Sequence, residues 1–312
     1  MENTVMDIVY VLGTGSGWND NEIRFSLRSI EKNLRNVGKV FVVGQCPAFL
    51  QNIIHIPAAD IFEPGLNADG NIITKVLAAC NDKRLSDDFL FINDDHLVLN
   101  PMNIEDVPPL HKGDMCTFNA DYWKLNFWRG RLKRTKEILE RKGYTTLHFD
   151  CHTPIIFNKT HFPEIVEQFN YKDDIGYTMK SLYGNVMYPD APFLIDQKRT
   201  VFSHYTVEQL NERLAAADFM SFNDLGLNRS LKWWLIENFT SKSRFEKDYP
   251  KDRIFDLYLW QLNGCDYKAG VELFCQHNKN RHKNLQQMFR MGETETLRKK
   301  LNFKLNTTIK EL

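Results

Sequence analysis

Several features that would assign a protein class at once are missing from this chain. Its six cysteines (Cys46, Cys80, Cys116, Cys151, Cys265 and Cys275) are scattered through 312 residues with no C-x-x-C pair. That spacing excludes a zinc ribbon or a dithiol redox motif and predicts small buried hydrophobes instead. No apolar run approaches the ~18 residues of a membrane-spanning helix. The first residues, MENTVMDIVYV, carry two acids and no basic stretch ahead of a long apolar segment, so no secretory signal is expected. A soluble, reduced, cytoplasmic protein is the expectation. Net charge is missing as well: 40 Lys and Arg face 40 Asp and Glu. A protein that coats nucleic acid or an anionic membrane with its whole surface is thereby disfavoured. The sequence also carries no internal repeat and no low-complexity segment.

The chain does have the means to build a full core. Its length corresponds to roughly two average domains, or to one large α/β domain with an extension, and 43% of its residues are hydrophobic. Its charges, balanced in sum, are segregated along the sequence. Asp60 to Asp106 holds ten acids against three bases. Arg129 to Lys142 holds seven bases against two acids, and Lys279 to Lys310 nine against two. Solvated helix faces account for such runs in the simplest case. The two basic stretches also carry aromatics (Phe127, Trp128, Phe289, Phe303), the combination a polyanion-binding surface needs.

Strands and helices alternate through the first half. Asp7–Leu12 is a β-branched and aromatic run halted by Gly13, Gly15 and Gly17. Ile23, Leu27, Ile30 and Leu34 then repeat with helical spacing, and Asn19, Asp20 or Asn21 can cap that helix. Lys39–Val43, Ile53–Ile56 and Phe89–Ile92 read as strands, and Ile72–Cys80 as a helix. This order predicts an α/β fold with a parallel or mixed sheet flanked by helices. Further on, Met115–Phe118 and Thr200–Tyr205 read as short strands, Leu132–Lys142 and Asp174–Tyr183 as helices, and His148–Phe157 as extended. After about Thr206 the pattern turns helical, with Trp233, Trp234, Phe255, Leu259 and Trp260 as core candidates. The expected division is a catalytic domain over 1–210 and a mainly helical region over 211–312.

The sharpest chemical feature is Phe89–His96, FLFINDDH. A buried strand ending in adjacent carboxylates, Asp94 and Asp95, delivers hard oxygen ligands to the edge of a sheet where open α/β folds bind ligands. Such a pair suits Mg²⁺ or Mn²⁺ bridged to a diphosphate; the alternative is a pair of turn caps. Gly13, Thr14 and Gly15, between the first strand and first helix, permit close approach of a phosphate to backbone, or simply form a flexible turn. Arg24 and Arg28 share one helix face and can point at phosphate, or Arg28 can pair with Glu31. His152 precedes Thr153-Pro154 and is either a general base or a core imidazole. His204 can serve as a third metal ligand, and Asp174 as a helix cap or an acceptor-facing acid.

Taken together these residues resemble the Stealth family of sugar-1-phosphate transferases and, more loosely, metal-dependent glycosyltransferases of the GT-A fold. Asp7–Tyr10 followed by a glycine turn and Trp18 resembles the family's first region. Asp20 to Glu31 is similar to the opening of the second region, and Asn93-Asp94-Asp95 to its close. His152-Thr153-Pro154 resembles the His-x-Pro of the third, with Asp174 where an acid is expected. The likeness covers about residues 7–185. Departures are Val11-Leu12-Gly13-Thr14 in place of a Trp-Val-Asp/Asn-Gly stretch, a short spacing between the first two regions, and no fourth region.

The resemblance implies a GT-A-like mixed sheet and a nucleotide-diphosphate sugar as donor. It implies a metal held by Asp94 and Asp95 with His204, and a donor contacted by Gly13, Thr14, Gly15, Arg24, Arg28 and Asp94. His152, Asp174 and Arg28 would serve catalysis. The leading expectation is glycosyl transfer to a hydroxyl acceptor. That acceptor would be an acidic glycan, or DNA bearing a hydroxylated base, met through 129–142 and 279–310. Transfer of sugar-1-phosphate and non-catalytic binding of a sugar nucleotide or polyanion are the alternatives.

Overall fold

The computed structural model describes residues 5–247, apart from 17, 19, 64, 65, 125 and 126. In chain order it contains β1 (Met6–Leu12), α1 (Asn21–Asn33), β2 (Leu34–Arg35), β3 (Val37–Gly44) and β4 (Ile54–Ile56). Next come α2 (Ala68–Cys80), β5 (Asp88–Phe91), β6 (His96–Val98), β7 (Met102–Asn103), α3 (Phe127–Lys142) and β8 (Ile155–Asn158). The chain continues through α4 (His161–Gln168), α5 (Met179–Met187), β9 (Lys198–Val201), α6 (Val207–Leu214), β10 (Phe219–Phe222) and α7 (Arg229–Asn238). None of the described helices is long and apolar enough to cross a membrane.

The main sheet runs β4-β3-β1-β5-β8. Its first four strands are parallel and β8 is antiparallel to β5. This is the mixed sheet flanked by helices that the strand–helix alternation predicts. Both faces are covered, so β1 is hydrophobic from Ile8 to Leu12. Ile8, Tyr10 and Leu12 pack with Ile23, Leu27 and Ile30 of α1, while Val9 packs on the opposite side with Ile73 and Val76 of α2. A smaller sheet, β6-β10-β9, stands beside it. Its apolar residues Leu97 and Met220 join Leu210, Leu214, Trp233 and Trp234 in a third core cluster, so the two tryptophans are core as their pattern predicts.

The helix α1 fastens the two sheets together. It is buried along almost its whole length, and its polar side chains hold β6. Ser26 donates to the His96 carbonyl at 2.6 Å, Ser29 accepts from Val98 N–H, and Asn33 donates to the Val98 carbonyl. Its start is organised by Ser16 rather than by Asp20. Asp20 sits in the left-handed region (φ 59°) and makes no side-chain cap, whereas Ser16 Oγ accepts from the Trp18 and Asp20 amides and donates to Glu22.

Three segments differ from the sequence expectation. Met115–Thr117 is a turn of 3₁₀ helix, not a strand, because Asp114 accepts from the Cys116 amide and draws the backbone out of extended geometry. The helix expected from Asp174 begins only at Met179, since Asp174 (φ 51°) and Gly176 (φ 74°) both adopt left-handed conformations. Phe219–Phe222, in the stretch expected to be helical, is a buried strand pairing with both β6 and β9. A short apolar run of this kind carries no periodicity that separates strand from helix.

Candidate active site

Parallel pairing of β1 and β5 brings their C-terminal ends to one edge of the main sheet. The turn after β1 carries Gly13 and Gly15, and the turn after β5 carries Asp94 and Asp95. Immediately after Asp95 the chain leaves the main sheet and begins β6 of the smaller one, so the two carboxylates lie at the junction of the sheets. A cavity of about 470 Å³ opens there. Gly13, Gly15, Asp94, Asp95 and His152 line it, with Thr200 from β9 and Ser221 and Phe222 from β10 forming another wall. A β-carbon at Gly13 or Gly15 would meet nothing within 4 Å, so the space beside the turn is open. Behind it, the buried Lys75 donates to the Leu12 carbonyl at 3.0 Å and pairs with Asp60 at 2.6 Å, which holds the end of β1 in place.

The cavity is strongly acidic. Asp20, Glu22 and Asp224 join Asp94 and Asp95 on its lining. Burial, then the neighbouring Asp95 and Glu22, push the Asp94 carboxyl up to about 7. Burial likewise pushes Asp95 up to about 6, against the pull of Lys180 and Lys198. Glu22 is raised by burial and, more weakly, by Asp20 and Asp224. Carboxylates that raise one another in this way are each relieved by a shared cation.

A donor set for such a cation is present beside Asp95. His96 is fully buried, and neither of its ring nitrogens has a hydrogen-bond partner. Its Nε2 lies 3.5 Å from Asp95 Oδ1, and His152 Nδ1 lies 3.9 Å from Asp95 Oδ2. One ligand atom from each of Asp95, His96 and His152 falls within 4.8 Å of the others. An imidazole buried with both nitrogens unsatisfied is costly, and a metal ion would satisfy it. The residues therefore fit a divalent ion, and mixed imidazole and carboxylate donors favour Mn²⁺ over Mg²⁺. His152 adopts φ 53°, an uncommon conformation for a residue other than glycine, which turns its ring toward Asp95. Half of its side chain is exposed, yet enclosure by the surrounding protein and the positive charges of Lys180, Lys198 and Lys112 push its pKa down, so the ring is neutral and able to ligate or accept a proton.

Other residues singled out from the sequence stand elsewhere. Arg24 and Arg28 do share one helix face, but that face carries the buried Glu246. Arg24 Nη1 lies 2.7 Å and Arg28 Nε 2.9 Å from its carboxylate, and neither arginine lines the cavity. Arg28 is thus bonded to Glu246 rather than to Glu31. Asp174 is exposed and pairs with Arg134 at 2.5 Å, away from the cavity lining. His204 is exposed and takes no part in the Asp95–His96–His152 group. Thr14 lies in the glycine turn, exposed and outside the cavity lining. The basic helix α3 spends much of its charge internally: Arg131 on Asp69, Lys133 on Glu137, Arg134 on Asp173 and Asp174, Lys136 on Glu140. The second basic stretch, 279–310, lies outside the described residues, as do Phe255, Leu259 and Trp260. His96 was within the motif but its role was hidden, because adjacency to Asp95 says nothing of whether its nitrogens find partners.

No protein-family profile matches the chain, and no curated protein matches its sequence. Among solved structures it is similar to an active-site mutant of LgtC, at 13% identity and TM-score 0.43, covering 77% of this chain and 98% of that one. It is similar to the galactosyltransferase LgtC in complex with donor and acceptor sugar analogues, at 12% identity and TM-score 0.43, over 78% and 98%. It is also similar to the bifunctional glycosyltransferase WbbM, at 12% identity and TM-score 0.43, over 77% of this chain and 50% of that one.

Proposed function

We propose that the chain is a metal-dependent glycosyltransferase of GT-A type that moves a sugar from a nucleotide-diphosphate donor to a hydroxyl acceptor. One observation carries this reading: the glycine turn, the Asp94–Asp95 pair and His152, far apart in sequence, line a single acidic cavity beside a buried imidazole that has no partner. Asp95, His96 and His152 are the residues that would hold the metal, with Asp94 facing the same cavity. A divalent ion bound there would offset the charge of a diphosphate leaving group. The open space at Gly13 and Gly15 admits the donor close to backbone, and Ser16 and Glu22 hold that turn in place. His152, neutral and half-exposed on its side chain, is suited to orient or deprotonate an acceptor hydroxyl where it does not ligate.

The test is a donor screen over UDP-, GDP-, ADP- and CMP-sugars with Mn²⁺, Mg²⁺ or EDTA, following released nucleotide and the product's linkage. Metal-dependent release of a nucleoside diphosphate with a glycosidic product is expected. A phosphodiester in the product would move the attack from the anomeric carbon to phosphorus, as in sugar-1-phosphate transfer. Turnover of any donor that is unchanged in Asp95→Ala would remove the metal-centred reading.

A further inference from the structure

Six lysines and arginines are buried among the described residues: Arg24, Arg28, Lys75, Arg131, Lys180 and Lys198. Four of them pair with a carboxylate: Arg24 and Arg28 with Glu246, Lys75 with Asp60, Arg131 with Asp69. Lys180 and Lys198 make no ion pair among the described residues; Asp95 acts on both of them, and Asp150 and Asp69 on Lys180, only at longer range. Lys198 begins β9 and is 6% exposed, and its Nζ donates only to Thr200 Oγ1. Strand periodicity puts Lys198 and Thr200 on the same face, and Thr200 lines the cavity. Lys180 is 5% exposed; its Nζ donates to the Thr153 carbonyl at 2.6 Å and lies 5.4 Å above the Phe91 ring. Neither lysine is itself on the cavity lining; Lys180 sits behind His152 through Thr153 and Lys198 behind Thr200, and both charges act on His152.

A buried ammonium that makes no ion pair is expensive, and Asp95, which acts on both lysines from beyond ion-pair distance, offsets only part of that cost. Two of them held beside one cavity, with only neutral oxygens as partners, are explained if an anion arrives with the substrate. We propose that Lys180 and Lys198 form an oxyanion subsite, on the His152 side of the cavity, that receives a phosphate or carboxylate group of a substrate. The exposed Lys112, 3.5 Å from the Asp150 carbonyl, adds positive charge on the same side. The three lysines all act on His152, and burial together with Lys112 holds Lys198 down to about 7. Which substrate group enters rests on the transferase reading: a phosphate of the departing nucleoside diphosphate, or the carboxylate of an acidic sugar.

The subsite is tested on the full chain by calorimetric titration with inorganic pyrophosphate and, separately, with glucuronate. The titrations are run in EDTA at low salt and about pH 6, where Lys198 is charged. One of the two is expected to bind, with affinity at least ~10-fold weaker in Lys198→Met and in Lys180→Met. Pyrophosphate binding assigns the subsite to the leaving group, and glucuronate binding to an acidic sugar. Neither anion binding the unaltered chain, or equal binding by a folded Lys198→Met, overturns the proposal. Melting of the variants separates a structural lysine from a ligand-binding one. Removal of an unpaired buried charge leaves the Tm equal or higher, and pyrophosphate or glucuronate then no longer raises it; a lowered Tm with anion binding intact counts against the subsite. Anion binding without turnover of any nucleotide sugar would sink the transferase reading and leave the subsite standing.

Discussion

His96 and His148 are two buried imidazoles with different chemical consequences. His96 faces Asp95 and His152 with both nitrogens unsatisfied. Asp95→Asn keeps the side-chain volume but weakens a carboxylate donor of that group. Donor turnover is expected to fall by about 10²–10³, the scale of losing one strong electrostatic contact, read as initial rates at saturating Mn²⁺. His148 packs edge-on against Phe118 and at a tilt against Trp128, and burial is the main cause of its pKa falling to about 4. Its folded pKa lies below the unfolded value, so the native state binds fewer protons between the two. Stability from this residue is present above the ordinary imidazole range and is lost as pH falls toward 4. Replacing it with Phe should flatten the acid limb of a urea-denaturation series by on the order of 2 kcal/mol; an unchanged slope would refute the assignment.

At the scale of elements, two contacts decide how the helices sit. Gly184 lets α5 approach Phe149: a β-carbon there would come within 2.5 Å of the buried ring. Overpacking costs about 1–3 kcal/mol, against roughly 1 kcal/mol gained in helix propensity, so Gly184→Ala should lower the urea midpoint despite being a better helix former. The second contact joins α1 to the segment that ends the described chain. Glu246, with its side chain fully buried, accepts from Arg24, Arg28 and Ser243, and Arg28 is the leading influence that holds its carboxyl low against burial. Glu246→Ala leaves two buried guanidinium groups without that anion, which predicts a loss of about 3–5 kcal/mol in equilibrium unfolding. The helix α1 was legible from Ile23, Leu27 and Ile30, because helical periodicity is local. The partner of Arg24 and Arg28 was not, because Glu246 is more than 200 positions away.

For the whole molecule, a metal that binds the folded state alone stabilises it by mass action. Mn²⁺ at about 100 times its Kd should add about 2.7 kcal/mol, seen as a rise in Tm that EDTA reverses and that Asp95→Asn removes. A Tm indifferent to Mn²⁺ would count against the donor set of Asp95, His96 and His152. The sequence by itself determined the α/β class, the first helix, the strand that delivers Asp94 and Asp95, and the glycine turn, since each follows from periodicity or from residue type over a few positions. Tertiary structure alone decided the rest. It brought His96 and His152 to Asp95 and took Arg24 and Arg28 to Glu246. It made a strand of Phe219–Phe222 and left Lys180 and Lys198 without an ion pair among the described residues. Each of these depends on which distant backbone lies beside a side chain, and burial then fixes whether its charge or lone pair is met. The balanced charge total contained none of that information.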